Sequence, residues 1–221
     1  MKIIINKGQN VFMMSDPHYN HTNICSGISN WDGGRGTRPF ETIEKMNDAI
    51  VENINWLVGK DDILFCLGDW SFGGIDAITE FRTRINCKNI HLFLGNHDHH
   101  IDRNKQGVRS LFASVNEQKL VTFVVPGENR SAKAKKYRFV MSHYPLASWQ
   151  DMNRGVMHVH GHIHTPDEFK VGPGRMMDVG MDGNTEFQPY SLQEVLANVG
   201  HMPIKSLLTH DCDHHNDKNI N

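Results

Sequence analysis

Charge of one sign is what this sequence most plainly lacks: over 221 residues, 23 Lys plus Arg stand against 25 Asp plus Glu. That balance removes the global basic field that drives sequence-independent nucleic-acid binding, so a large polyanion is disfavoured as partner. Cysteine is scarce as well. Cys25, Cys66, Cys87 and Cys212 show no C-x-x-C spacing and no dense framework, which fits a reducing compartment. Cys66 lies within an apolar run and is expected to be packed there. The first ten residues lack the long apolar core of a secretion signal, and no run approaches the about 18 apolar residues of a membrane span. The expectation is a soluble, cytoplasmic protein without a membrane partner. No internal repeat or linker is visible, so one domain is expected over residues 1–199, followed by a polar, aperiodic tail over 200–221.

Histidine, by contrast, is abundant, with fifteen copies. Its imidazole is the commonest metal-ligating side chain. Part of the excess lies in the tail, where His210, His214 and His215 read as solvated. The rest follows a pattern. Residues 91–98, His-Leu-Phe-Leu-Gly-Asn-His-Asp, form a short apolar run that stops in small and polar residues, as a covered parallel strand does when it delivers side chains to a site. The same form recurs at 11–14, ahead of Asp16 and His18, and at 63–67, ahead of Asp69. A strand over 137–141 leads to His143. Another over 156–159 leads to His162 and His164.

Between these runs the chain alternates. Strands are expected at 2–5 and 11–14, joined by a turn around Gly8. A polar, Gly-rich loop over 20–39 adjoins the first ligand cluster and is a candidate for substrate contact. Ile43, Met46, Ile50, Ile54 and Leu57 fall at spacings of three and four, the stripe of an amphipathic helix. A strand over 61–67, a helix over 75–85 and the strand at 91–94 complete a β-α-β-α-β order typical of right-handed crossovers. Residues 120–125 and 137–141 read as a hairpin, 175–179 as a further strand, and 190–199 as a closing helix with Ser191 as cap and Glu194 in the capping-box position.

Asp16, His18, Asp69, Asn96, His143, His162 and His164 are too many donors for one first-row ion with an open position, and about right for two. A carboxylate such as Asp69 can bridge them, and ions roughly 3.5–4 Å apart clamp the attacking and leaving oxygens of a phosphoryl displacement. A mixed nitrogen and oxygen set without thiolate favours Mn, Fe, Zn, Co or Ni over Ca or Mg, with Mn placed first.

These segments match five signature blocks in order: Asp16-Pro17-His18, Gly68-Asp69, Gly95-Asn96-His97-Asp98, His143 and Gly161-His162-Ile163-His164. By them the chain resembles the calcineurin-like metallophosphoesterases, in particular the compact bacterial and phage members. The resemblance spans roughly residues 10–198. It implies an α/β fold, a four-layer α-β-β-α sandwich of two mixed sheets flanked by helices. It implies Asp16, His18 and His164 on one metal, Asn96, His143 and His162 on the other, and Asp69 between them. His97 is implied as the metal-free catalytic residue that protonates the leaving oxygen, with Asp98 orienting it, and a metal-bridging hydroxide as nucleophile.

The expected function is therefore metal-dependent hydrolysis of a phosphomonoester or phosphodiester, with a small, nucleotide-like substrate favoured by size and balanced charge. A DNA or RNA nuclease and a catalytically silent scaffold are the alternatives. His99 and His100 are expected to lie outside the ligand set, and His158 and His160 to serve structural hydrogen bonds. Arg35, Arg38 and Arg154 are able to contact phosphate but equally acceptable as surface residues, and stand outside the expected site.

Overall fold

Strands of almost purely apolar sequence need cover on both faces, and the chain supplies it. A computed structural model describes residues 1–31, 36–103, 107–127, 132–167, 171–172 and 174–204. One sheet has the order β10-β2-β3-β4-β5, built from Tyr190–Ser191, Val11–Met14, Ile63–Cys66, Asn89–Phe93 and Ser114–Asn116. Its strands are parallel except for β10, which pairs antiparallel to β2. Alternate side chains divide between two cores, as the period of a strand requires. Phe12, Met14, Leu64, Cys66, Ile90 and Leu92 face α1 (Ile43–Leu57) and α2 (Gly74–Arg84), where Met46, Ile50, Ile54, Ile78 and Phe81 close over them. Val11, Met13, Ile63, Phe65 and Phe93 face the other way, onto the second sheet.

That second sheet has the order β1-β6-β7-β8-β9, from Lys2–Ile4, Gln118–Val125, Lys135–Ser142, Met157–His160 and Met176–Asp178. Val121, Phe123, Phe139, Val159 and Met177 fill the space between the sheets, with Val195 and Val199 of α4 (Leu192–Val199) packed into the same cluster. The fold is thus two mixed sheets with flanking helices, as the resemblance implies. Over the outer face of the second sheet the covering layer is thin: Trp149, Met152 and Val156, around the 3-10 turn Met152–Arg154, pack on Val140 and Met176.

The expected cap on the closing helix is present, and the first helix carries one that was not read from the sequence. The Thr42 hydroxyl accepts from the Lys45 backbone to start α1, and Ser191 and Glu194 form a full capping box on α4. The hairpin is present as the antiparallel β6–β7 pair. The first two strands are both present, and they do not pair with each other across the Gly8 turn. β1 instead runs parallel to β6, opposite Thr122 to Val124, so the turn carries the chain from one sheet to the other. Short elements that were not expected include β5, the five-residue α3 (His99–Arg103) and β10, which takes Tyr190 and Ser191 from the expected closing helix. Among the described residues no helix is long and apolar enough to cross a membrane.

Candidate metal centre

All five blocks lie just past the carboxyl ends of β2, β3, β4, β7 and β8, and the two sheets are joined there. Ser15 N–H donates to the Val179 carbonyl (2.9 Å) and the Met181 N–H to the Ser15 carbonyl (3.0 Å), tying the end of β2 to the segment after β9. Asp16, His18, Asp69, His162 and His164 all have positive φ, from 48° to 73°. Side chains pay for that left-handed backbone, at about 1–3 kcal/mol for each residue, and such strain concentrates at functional sites. Close approach demands the motif glycines: a Cβ on Gly95 would stand 2.2 Å from Asp69 Oδ1, and one on Gly161 2.3 Å from Asp16 Oδ2.

The donors converge. His18 Nε2 lies 3.1 Å from His164 Nε2, 3.7 Å from Asp16 Oδ1 and 3.6 Å from Asp69 Oδ2. His143 Nε2 is also 3.6 Å from Asp69 Oδ2, and 3.0 Å from Asn96 Oδ1. One oxygen of Asp69 is therefore equally close to imidazoles of both halves, while its Oδ1 accepts from the His97 backbone N–H (2.9 Å). Asp16, His18 and His164 form one group able to hold a metal ion, and Asp16, Asp69 and His143 another. His162 approaches through its ring, 5.0 Å from that of His143, and its backbone N–H donates to Asp16 Oδ2 (2.9 Å).

Charge balance tests whether a cation fits. Asp16 Oδ1 is buried without a hydrogen-bond partner among the described residues. Burial pushes the Asp16 carboxyl up to about 6, against the opposing pull of His164 and His143. Burial and the nearby Arg38 charge hold His18 well below its ordinary value, so its ring stays neutral with a lone pair available. A buried carboxylate oxygen without a hydrogen-bond partner, beside the neutral His18 ring, is stabilised by a divalent ion, and the residues fit one.

Around this floor the side chains differ in exposure. Asp16, His18, Asp69 and His143 are buried, His164 is half-buried, and Asn96, His97 and His162 are exposed. The rim is aromatic. Tyr144, 46% exposed, stands edge-on to His143 and His162, and Trp31, 41% exposed, stands edge-on to His21. His21 in turn stacks on Phe72 at 3.7 Å, and Phe72 adjoins His97 at 4.7 Å.

The readings of Asp98 and Arg38 change, and those of the other residues outside the ligand set do not. Asp98 does not spend its carboxylate on the His97 ring: Oδ2 accepts from the backbone N–H groups of Asp69 and Gly95, and Oδ1 from that of Trp70. It fixes the turn that presents Asp69, because a buried carboxylate is best satisfied by several backbone donors. Burial pushes this carboxyl up to about 6 despite those bonds. Arg38 is neither a surface residue nor a phosphate contact, since it is 1% exposed beneath the site. Arg154 is on the surface beside Asp151, whereas Arg35 and the tail residues His210, His214 and His215 lie outside the described residues. His99 and His100 are exposed on α3 and belong to neither ligand group. His158 is structural, placing Nδ1 against the Val140 carbonyl (2.9 Å) and accepting from Leu146 N–H at Nε2 (3.1 Å).

Sequence reasoning missed two neighbours of the ligand groups. His21 sets its Nδ1 3.3 Å from His18 Nδ1, and the His-x-x-His spacing was a signal for it. Asp182, on the 3-10 turn Met181–Gly183, accepts from His164 Nδ1 at 2.7 Å, with no motif to announce it. The His164–Asp182 contact shows in their proton affinities. Burial opposes a proton on His164, but the Asp182 bond and the Asp16 charge hold the imidazole above its ordinary value. Burial alone would raise Asp182, yet the Arg38 guanidinium keeps it well below the usual carboxylate range.

Known proteins give a consistent picture. A family model described as calcineurin-like phosphoesterase matches residues 10–166. The uncharacterized protein MJ1445 of Methanocaldococcus jannaschii is 26% identical over 169 residues, which cover 75% of this chain and 77% of that protein. Among solved structures, a protein of unknown function, AQ665 from Aquifex aeolicus, matches with a TM-score of 0.55 at 18% identity, covering 85% of this chain and 98% of that one. At that identity the likeness concerns the fold alone.

Proposed function

The chain belongs to the calcineurin-like phosphoesterase family, and from that premise we propose that it hydrolyses a small, nucleotide-like phosphoester at a centre of two divalent metal ions. The observation that carries the reading is the shared oxygen: Asp69 Oδ2 lies 3.6 Å from both His18 Nε2 and His143 Nε2. Asp16, His18 and His164 would hold one ion, Asn96, His143 and His162 the other, with Asp69 common to both. The mixed nitrogen and oxygen donor set admits Mn, Fe, Zn, Co or Ni, and Mn is the ion proposed. Two such ions would supply Lewis acidity and a water activated near neutral pH.

His97 is the residue that moves a proton. It is exposed at the rim, its backbone is tied to Asp69 Oδ1, and Phe72 supports its ring. A water oxygen adds to phosphorus and gives up a proton to solvent, the ester P–O bond breaks, and the departing oxygen takes the imidazole proton, which solvent then restores. Tyr144 on one side and Trp31, His21 and Phe72 on the other give flat apolar surfaces beside the reacting centre. They favour an ester whose alcohol carries an aromatic ring, a nucleobase included, because rings stack on such surfaces.

Hydrolysis of an aryl phosphate and an aryl phosphodiester with added Mn tests the proposal, followed by mononucleotides, cyclic nucleotides, dinucleotides and single-stranded DNA. The expected result is hydrolysis of at least one small ester that is lost in Asp69→Asn. Unchanged activity in Asp69→Asn would sink the two-metal reading, and a preference for single-stranded DNA would transfer the function to nuclease.

A further inference from the structure

Arg38 and Asp182 form a charged pair under the centre that touches two of the five ligand segments at once. Arg38 Nε and Nη2 each donate to one Asp182 oxygen at 2.9 Å, a bidentate fork. The same guanidinium donates from Nη1 to the Pro17 carbonyl (2.8 Å) and from Nη2 to the Asp16 carbonyl (2.6 Å). Four of its five N–H directions are thereby spent inside the protein, which leaves little for a substrate phosphate. Asp182 Oδ2 also accepts from His164 Nδ1 at 2.7 Å.

We propose that Asp182 and Arg38 are positioning residues for the metal site of Asp16, His18 and His164, a role that rests on the two-metal reading above. Asp182 keeps the proton of His164 on Nδ1, so that Nε2 presents its lone pair toward His18 and Asp16. Nε2 is the atom that lies 3.1 Å from His18 Nε2 and 3.7 Å from Asp16 Oδ1. Arg38 fixes Asp182 from behind and clasps the carbonyls of the left-handed turn at Asp16 and His18, whose φ values are 55° and 49°. One buried cation thus sets the ligands of the first and last blocks against each other. A carboxylate behind a ligating histidine fixes its tautomer and raises its basicity, and losing such a partner costs about 10–100-fold in metal affinity. Among the described residues the other half shows no such pair: His143 Nδ1 meets the Leu67 carbonyl, at 2.8 Å. The effect of removing Asp182 is therefore confined to one of two sites.

The test is an equilibrium titration of metal-free protein with Mn²⁺, read by the signal of the free ion, in wild type, Asp182→Asn, Asp182→Glu and Arg38→Lys, with unfolding of each metal-free variant as control. Wild type is expected to take two ions. Asp182→Asn is expected to weaken one of them by about 10–100-fold and leave the other unchanged. Asp182→Glu, which keeps the charge, is expected to recover part of the loss at that same site and serves if Asp182→Asn does not fold. Equal weakening at both sites, or two ions bound at wild-type affinity in folded Asp182→Asn, overturns the positioning role while the two-metal reading stands. Wild type that binds no ion overturns both.

Discussion

Asp16 and His18 lie buried with a carboxylate and a guanidinium packed behind His164, whereas Asn96 and His162 face solvent and His143 rests on a backbone carbonyl. The two halves of one centre are thus made of different material. Charge placed behind a ligand fixes its direction but fills the space a substrate would need. A neutral carbonyl holds its ring with a smaller group and leaves the outer side free. On the two-metal proposal the halves would have separate work: the buried residues set the geometry, and the exposed Asn96, His97 and His162 meet the ester.

The largest effect should come from removing what the halves share. Asp69→Asn is expected to bring hydrolysis to background and reduce bound metal, measured by metal analysis alongside turnover. At the exposed rim, His97→Asn should lower kcat by about 10²–10⁴-fold while both ions stay bound. Equal loss of metal there would blur the division between halves. On the buried half, Arg38→Met strands the Asp182 charge and is expected to cost about 3–5 kcal/mol in denaturant unfolding. A stable Arg38→Met protein would show that the pair does not brace the site.

A histidine with a purely structural role sharpens the contrast through pH. Burial lowers His158 from 6.5 to about 4. The unfolded chain therefore binds the extra proton between those values, and the His158 contribution is present above pH 6.5 and lost as pH falls toward 4. Its full size is about 3 kcal/mol. His158→Gln should flatten this part of the stability curve, and a variant curve parallel to wild type would assign the loss elsewhere. Smallest is the rim: Tyr144→Ala and Trp31→Ala should each raise KM for an aryl ester by about 10-fold with little change in kcat. A fall in kcat alone would place these rings in the chemistry instead of in binding.

Much of this centre was legible because its donors sit where apolar runs end. Val11–Met14, Ile63–Cys66 and Asn89–Phe93 are short, apolar and bounded, so strand and ligand were readable together. What failed to show was whatever depends on distant pairing. β1 follows the alternation of a strand, but its partner lies near Thr122, and no local signal chooses β6 over β2. Ser114–Asn116 and His99–Arg103 are too short for a period to emerge. Arg38 and Asp182 are 144 residues apart, and each alone looks like an ordinary surface charge. Asp98 shows the same limit from the other side. Its place beside His97 in sequence suggested a partner, while its carboxylate serves the backbone of Asp69 and Trp70.

Anomalous diffraction from crystals of the manganese-loaded protein tests the central claim most directly. Two peaks flanking the Asp69 carboxylate are predicted, one beside His18 and His164 and the other beside His143 and His162. A single peak away from Asp69, or none at these residues, would contradict it.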